Sequence, residues 1–336
     1  MTRTAVVLFN MGGPDSLDAV EPFLFNLFND PSIIGAPWPV RPLLARFISG
    51  RRGPVAREIY RQLGGRSPIV EQTEKQAAAL EAALGPDFKV LIAMRYWHPF
   101  TAQAVAQARQ WGAERVVLLP LYPQFSTTTS RSSLRCWRVE AAKAGLSVPT
   151  DIICCYPDQP GLVAALADLV RTGWTEAARS GRPRVLFSAH GLPQSVVDKG
   201  DPYPLQVELT ARSVVAAAAI PDLDWIVCYQ SRVGPMKWIG PATEDQLERA
   251  GEDKVPVVVV PIAFVSEHSE TLVELDIEYR HRAESLGVPA YVRVPAVGSH
   301  PDFIDGLARL VRDPGSVRGR ACAALGNRCP WKEEKA

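Results

Sequence analysis

His190, Glu270, Glu274 and Glu278 have the side-chain types that hold metal ions and move protons. His190 closes the apolar run Arg184-Val185-Leu186-Phe187-Ser188-Ala189 and is followed by Gly191 and Pro193, which force a turn. A neutral imidazole in that place can take up a proton or bind a metal near pH 7. The three glutamates recur every four residues within 266–279, so on a helix they form one column of carboxylates. Like charges at that spacing destabilise a helix by roughly 0.2–0.5 kcal/mol per pair unless water or cations relieve them. Taken singly, a turn histidine is ordinarily structural and an acidic column is ordinarily a solvated face. Taken together, an imidazole opposed to Glu270 makes an incomplete shell for a divalent first-row metal, with positions left for substrate or water. The rest of the column can carry protons or hydrated cations between site and solvent.

These groups need a scaffold that brings strand ends together. His190 and the first turn of the acidic helix both follow apolar runs that read as buried strands, and ligands of open parallel sheets bind at the carboxyl ends of strands. Strands are predicted over 4–9, 89–94, 115–121, 151–155, 184–189, 224–229, 255–262 and 290–294. Helices are predicted over 71–84, 101–111, 161–178, 204–219 and 301–311. Apolar strands alternating with amphipathic helices predict an α/β protein with parallel sheets covered on both faces. Two internal echoes suggest two similar halves: Val7-Leu8-Phe9-Asn10-Met11-Gly12-Gly13-Pro14 against Val185 to Pro193, and Val116-Val117-Leu118-Leu119-Pro120-Leu121 against Val257-Val258-Val259-Val260-Pro261-Ile262. The expected domains are 1–156 with 302–336, and 157–301. The last helix is expected to pack back on the first half.

An insertion, 17–68, lengthens the first half. Phe23, Phe25, Phe28, Trp38, Leu43, Leu44 and Phe47 crowd it without a regular period. Such a segment suits either core beneath a long loop or an apolar lip around a flat ligand or against a membrane surface. Arg51 and Arg52 follow and would place cations at the rim of a pocket.

Composition narrows the classes of function. At 336 residues the chain can bury large cores, and Lys+Arg 37 against Asp+Glu 36 leaves no field for steering onto nucleic acid. The first apolar run is too short for a secretory signal, and the longest, 255–265, is broken by Pro256 and Pro261, so a reduced, cytoplasmic protein is expected. No G-x-G-x-x-G follows a strand, and G-x-x-x-x-G-K-[ST] and H-E-x-x-H are absent. His268-Ser269-Glu270 is superficially like the H-x-E of zinc deaminases, but no P-C-x-x-C follows.

Seven segments in order resemble the ferrochelatase family. They are Asn10-Met11-Gly12-Gly13-Pro14, Gly64-Gly65-Arg66-Ser67-Pro68-Ile69, Met94-Arg95-Tyr96-Trp97-His98-Pro99 and Tyr122-Pro123-Gln124-Phe125-Ser126, then Leu186 to Pro193 with Gly200-Asp201-Pro202-Tyr203. The last two are Gln230 to Met236 with Trp238, and 266–279. The resemblance implies two Rossmann-like, chelatase-type domains with an active-site cleft between them, and insertion of ferrous iron into protoporphyrin IX, the final step of haem synthesis. It assigns His190 and Glu270 to the metal-insertion site, with His190 also accepting pyrrole protons. It places His268, Glu274 and Glu278 on a polar path that serves either iron or protons. Arg95 and Tyr96 match the floor of the family's site. Met11, Arg51, Arg52, Tyr60, Ser67 and Trp238 match positions that contact or orient the macrocycle.

Some members of the family carry a [2Fe–2S] cluster on one internal cysteine and three near the carboxyl terminus. Here the internal position matches Thr127, and the tail offers only Cys322 and Cys329, so no cluster and no other tightly bound cofactor is expected; Cys136 is the one conceivable substitute. A non-catalytic porphyrin or haem carrier, and a chelatase for another tetrapyrrole such as coproporphyrin III, are the competing expectations. Peripheral membrane contact through the apolar lip is a further one. The oligomeric state is left open.

Overall fold

In the computed structural model the described residues are 2–317, apart from Val233 and Pro235. They fall into two compact units, one running to Cys155 and resuming at Leu307, the other Tyr156–Gly306. The boundary after Gly306 lies inside the last helix.

The first unit holds a parallel sheet of β1 (Thr4–Asn10), β2 (Phe88–Met94), β3 (Arg115–Pro120) and β4 (Thr150–Ile152), in the order β2-β1-β3-β4. Its helices are α1 (Val20–Phe28), α2 (Val40–Gln62), α3 (Ile69–Leu84), α4 (Thr101–Trp111) and α5 (Ser130–Lys143). In the second unit β5 (Arg184–His190), β6 (Asp224–Gln230), β7 (Val257–Pro261) and β8 (Tyr291–Arg293) form a parallel sheet in the order β6-β5-β7-β8. Around it lie α6 (Pro160–Ala177), α7 (Gln194–Val197), α8 (Tyr203–Ala218), α9 (Thr243–Asp253), a π-helix (Glu270–Glu278), α10 (Tyr279–Ser285) and α11 (Pro301–Arg312).

Both sheets share one strand order, and each sequence echo falls on equivalent strands, β1 with β5 and β3 with β7. The central strands β1 and β5 are apolar because helices cover both faces: every residue of β1 is buried, and in β5 all but His190 are. Of the four edge strands, β4 and β8 are shorter than the sequence predicts, with three residues each, whereas β2 and β6 have seven. At the start of β7, Val255 N–H is taken by the carbonyl of Ala250, which closes α9, so pairing begins only after Pro256.

The segment read as aperiodic is two helices. In α2 the inward positions are Ala45, Ser49, Gly53 and Tyr60, whereas Leu43, Phe47 and Val55 face outward at 69%, 62% and 67% exposure. Large apolar side chains outside and small ones inside erase the period that ordinarily reveals an amphipathic helix. Val20, Phe23 and Leu24 of α1 pack with Tyr60 and Tyr96 as a separate small core.

Candidate active site

The carboxyl edge of the second sheet gathers most of the predicted chemistry. β5 and β6 run in register, so His190 lies directly beside Gln230. The next residue, Ser231, has φ of +60°, a left-handed conformation that a side chain adopts at a cost of about 1–3 kcal/mol and that persists where the surroundings fix it. This turn aims both its N–H and its hydroxyl at the acidic segment. Ser231 N–H donates to Glu274 Oε1 at 2.8 Å, and its hydroxyl bonds Glu274 Oε2 and lies 3.4 Å from Glu270 Oε2.

Glu270, the first residue of the π-helix, meets His190 across this edge with Nδ1 3.0 Å from Oε2. His268 adds Nε2 at 3.8 Å from the same oxygen, while its Nδ1 donates to the Ser266 carbonyl at 3.1 Å. Burial disfavours charge on Glu270, but the adjoining His190 and His268 outweigh it and hold the carboxyl well below its ordinary range. For His190 burial likewise opposes charge, and the Glu270 carboxylate overcomes it and raises the imidazole. Glu274 goes the other way: burial, then the nearby Glu270 charge, push its carboxyl up. Glu270 is thus held as a carboxylate against His190, whose affinity for a proton it raises, and the Glu274 carboxyl behind them takes up a proton more readily than usual. His190 keeps 40% of its side chain accessible and Glu270 23%.

The acidic segment departs from the predicted α-helix. Tyr279 N–H bonds the carbonyl of Glu274, five residues back, the signature of the wider π turn. Glu270 and Glu274 turn inward to His190 and Ser231, whereas Glu278 is exposed, so the single column of carboxylates expected on one face is divided. On the opposite side Leu275 and Tyr279 pack in the core, and Leu272 is only half-buried. Single π turns are rare and concentrate at functional sites.

An ionic brace holds this segment. Arg293 at the end of β8 bonds Glu267 at 2.6 Å and Asp276 at 2.7 Å, and Asp276 also takes Arg280 at 2.7 Å. Glu267 precedes His268, and Asp276 lies within the π-helix, so one guanidinium ties both ends of the stretch that carries Glu270 and Glu274. The charges are costly to bury and are stable here because they are paired.

The remaining predicted residues lie in the first unit, except Trp238. Arg95 and Tyr96 follow β2 and are fixed by a carboxylate the sequence did not reveal. Asp30, 1% exposed, takes Arg95 Nη2 at 2.7 Å, the Tyr96 hydroxyl at 3.0 Å and the hydroxyl of Ser132. Burial would raise Asp30, but Arg95 and these donors bring it down. Met11 and Tyr60 line the same small core as Tyr96. Ser67 is buried against Gly13, where a side chain on the glycine would collide with it. Arg51 and Arg52 are exposed, their guanidinium groups over the rings of Phe47 at 5.9 Å and Phe28 at 5.8 Å. In the second unit Trp238 bridges to Pro193, beside the turn after His190, and its indole N–H is buried without a partner among the described residues. Cys322 and Cys329 lie outside the described residues. Among the described residues no three or more His, Cys, Asp or Glu side chains are grouped to hold a metal; His190 and Glu270 are a pair.

Two parallel sheets of one topology, with an imidazole–carboxylate pair at a strand end, define an α/β chelatase. The fold is shared with the sirohydrochlorin chelatase SirB from Bacillus subtilis subspecies spizizenii, solved in complex with cobalt, at a TM-score of 0.53 and 12% identity over 94% of this chain and 96% of that one. The ferrochelatase family model matches residues 3–314. Ferrochelatase of Caulobacter vibrioides (strain NA1000 / CB15N) is 52% identical over 98% of both chains. That of Hyphomonas neptunium is 49% identical over 99% of this chain and 96% of its own. Wolbachia pipientis wMel ferrochelatase is 50% identical over 92% of this chain and 98% of its own. The chain belongs to the ferrochelatase family. It is therefore a metal chelatase, and the expectation of a non-catalytic carrier lapses.

The brace gives a direct stability test. Arg293→Ala leaves Glu267 without its cation and Asp276 with Arg280 alone, and is expected to cost about 3–5 kcal/mol, read as a lowered midpoint of chemical denaturation. A loss within experimental error would show that the network does not hold the segment.

Proposed function

We propose that the protein inserts ferrous iron into protoporphyrin IX, with His190 as the base and Glu270 as its ionic partner. The observation that carries the reading is the 3.0 Å contact of His190 Nδ1 with Glu270 at the end of the central strand of the second sheet. Metallation must remove two protons from ring nitrogens and strip water from the iron. With Nδ1–H donated to Glu270, the imidazole lone pair is on Nε2, where a pyrrole proton can be taken up. The imidazolium that results lies against an ionised carboxylate and is stabilised by it. Imidazole and carboxylate are also donors that a ferrous ion accepts. Glu274, raised by burial and held by Ser231, is placed to take protons onward, with His268 beside Glu270 and Glu278 at the solvent end.

Arg95 and Tyr96 offer a rigid polar floor because Asp30 fixes both. By the resemblance, Arg51 and Arg52 match positions that receive propionates, and Met11, Tyr60, Ser67 and Trp238 match positions that contact the macrocycle. The choice of protoporphyrin IX over coproporphyrin III follows the resemblance. His190→Ala is expected to abolish anaerobic iron insertion while porphyrin binding stays measurable, and the parent protein to turn over protoporphyrin IX faster than coproporphyrin III. Near-normal turnover of the variant would remove His190 from the mechanism, and the reverse substrate order would replace the substrate.

We further infer that no [2Fe–2S] cluster is held, because the family's internal cysteine position is Thr127 and the described thiols are Cys136, Cys154, Cys155 and Cys228. Acid-labile sulfide in the purified protein would overturn this.

The outward face of α2 supports one more reading, a peripheral lipid surface as partner. Trp38 at 77%, Leu43 at 69%, Phe47 at 62% and Val55 at 67% exposure form an apolar strip, with Arg46 exposed among them for anionic headgroups. No helix among the described residues is long and apolar enough to cross a membrane. Leu43→Ser with Phe47→Ser is expected to reduce cosedimentation with phosphatidylglycerol vesicles several-fold, and equal sedimentation of parent and variant would dismiss the reading.

A further inference from the structure

Glu274 has a neighbour that metal insertion, as derived above, leaves unused. Its Oε1 accepts the Tyr279 hydroxyl at 3.1 Å. The same hydroxyl interacts with the carboxylate of Glu244, in the first turn of α9. A phenol has one proton, so it can satisfy only one of two flanking carboxylates at a time. With that proton given to Glu274, Oε2 of Glu244 is buried without a hydrogen-bond partner among the described residues. The arrangement has a natural second state, in which Glu274 is protonated and donates to the phenol oxygen while the phenol proton turns to Glu244.

We propose that Tyr279 relays protons from Glu274 to Glu244, giving the metal-insertion site an outlet to solvent besides the exposed Glu278. The inference rests on the reading of His190 and Glu270 as the groups that receive pyrrole protons. In the transfer the O–H bond of the Glu274 acid breaks as a new phenol O–H forms. The phenol's original O–H breaks as the Glu244 acid forms, and no electrons change hands. Glu244 is only half-buried as a residue, so the proton it receives can pass to water. The α9 amino terminus favours its return to the ionised form.

The surroundings suit a side-chain relay. The Tyr279 ring is 5% exposed and packs with Leu186, Cys228, Leu247 and Leu275, which exclude water from this side of Glu274. Burial, then the Glu274 and Glu244 charges, push the phenol far above its usual range, so it stays protonated and passes protons without forming phenolate. Behind Glu274, Gln230 Nε2 at 3.4 Å and Ser231 complete its hydrogen bonds. Gln230 in turn bonds Ser188, which meets Thr243, the residue before Glu244. A chain of side-chain bonds thus runs from Glu274 through the ends of β6 and β5 to the start of α9, which carries Glu244.

Tyr279→Phe keeps the ring and removes the hydroxyl, and Glu244→Gln keeps the shape and removes the proton acceptor. Each is expected to lower kcat for iron insertion, to enlarge the solvent deuterium isotope effect on it, and to leave the KM for iron unchanged. The double variant is expected to be no slower than Tyr279→Phe alone, because both changes cut one path. Infrared difference spectra of the metal-free protein give a readout that needs no turnover. The carboxylic C=O bands assigned by Glu274→Gln and Glu244→Gln should both shift in Tyr279→Phe. Unmoved bands, or parental kcat and isotope effect in both variants, would overturn the relay. So would a loss confined to the KM for iron, as from a structural or iron-binding role. A parent protein without turnover whose bands do shift would instead fault the reading of the reaction and leave the relay standing.

Discussion

The second unit is organised by a parallel register. Because β5 and β6 run in step, His190 and Gln230 end their strands side by side, and the residue after each is free to turn. Gly191 turns with its N–H on the Gln230 carbonyl, and a side chain there would strike that carbonyl; Ser231 turns by adopting a left-handed backbone. These two turns direct the imidazole and the serine hydroxyl at one carboxylate pair. A slip of one residue in this register would invert the faces of β6 and carry Ser231 away from the carboxylates it holds.

The carboxylates need a second constraint, since a segment with acids every four residues has little reason to remain helical near an apolar core. The structure resolves the conflict by widening the turn and pinning the outer side with Arg293. Glu270 then meets the His190 and His268 rings and ionises readily, whereas at Glu274 burial and the like charge of Glu270 outweigh the Ser231 donors and His190 and raise its affinity for a proton. Two identical side chains one turn apart are thus given opposite affinities for a proton, and that difference sets a direction for transfer away from His190.

Much of this was legible in the sequence, because period and strand ends are local properties. The runs ending at Phe9 and Ala189 identified the central strands, and the glycine and proline after His190 placed that residue at an edge. His190 with Glu270 followed from their types once the strands were placed. Two kinds of feature were hidden. Asp30 and Arg293 act through partners distant in the chain, and no local pattern marks a carboxylate or guanidinium that will find its counter-ion only in the fold. The wide turn and the helix α2 were hidden for different reasons: in the first, Leu272, Leu275 and Tyr279 keep an α-like spacing that gives no sign of the wider turn, and in the second the large side chains face outward. Ser231 could have been suspected from its place immediately after a predicted strand next to the one ending in His190.

The matching strand orders carry an asymmetry of their own. Where β5 ends in His190, β1 ends in Asn10, and this amide is spent internally, its nitrogen on Thr73 and its oxygen on the Met11 N–H. The residue after β6 is Ser231, and the residue after β2 is Arg95, committed to Asp30. A duplicated framework would be expected to offer two reaction centres. Here one copy of the edge has kept an ionisable, accessible ring while its twin has traded that freedom for rigidity, and a chain built twice from one plan performs its chemistry once.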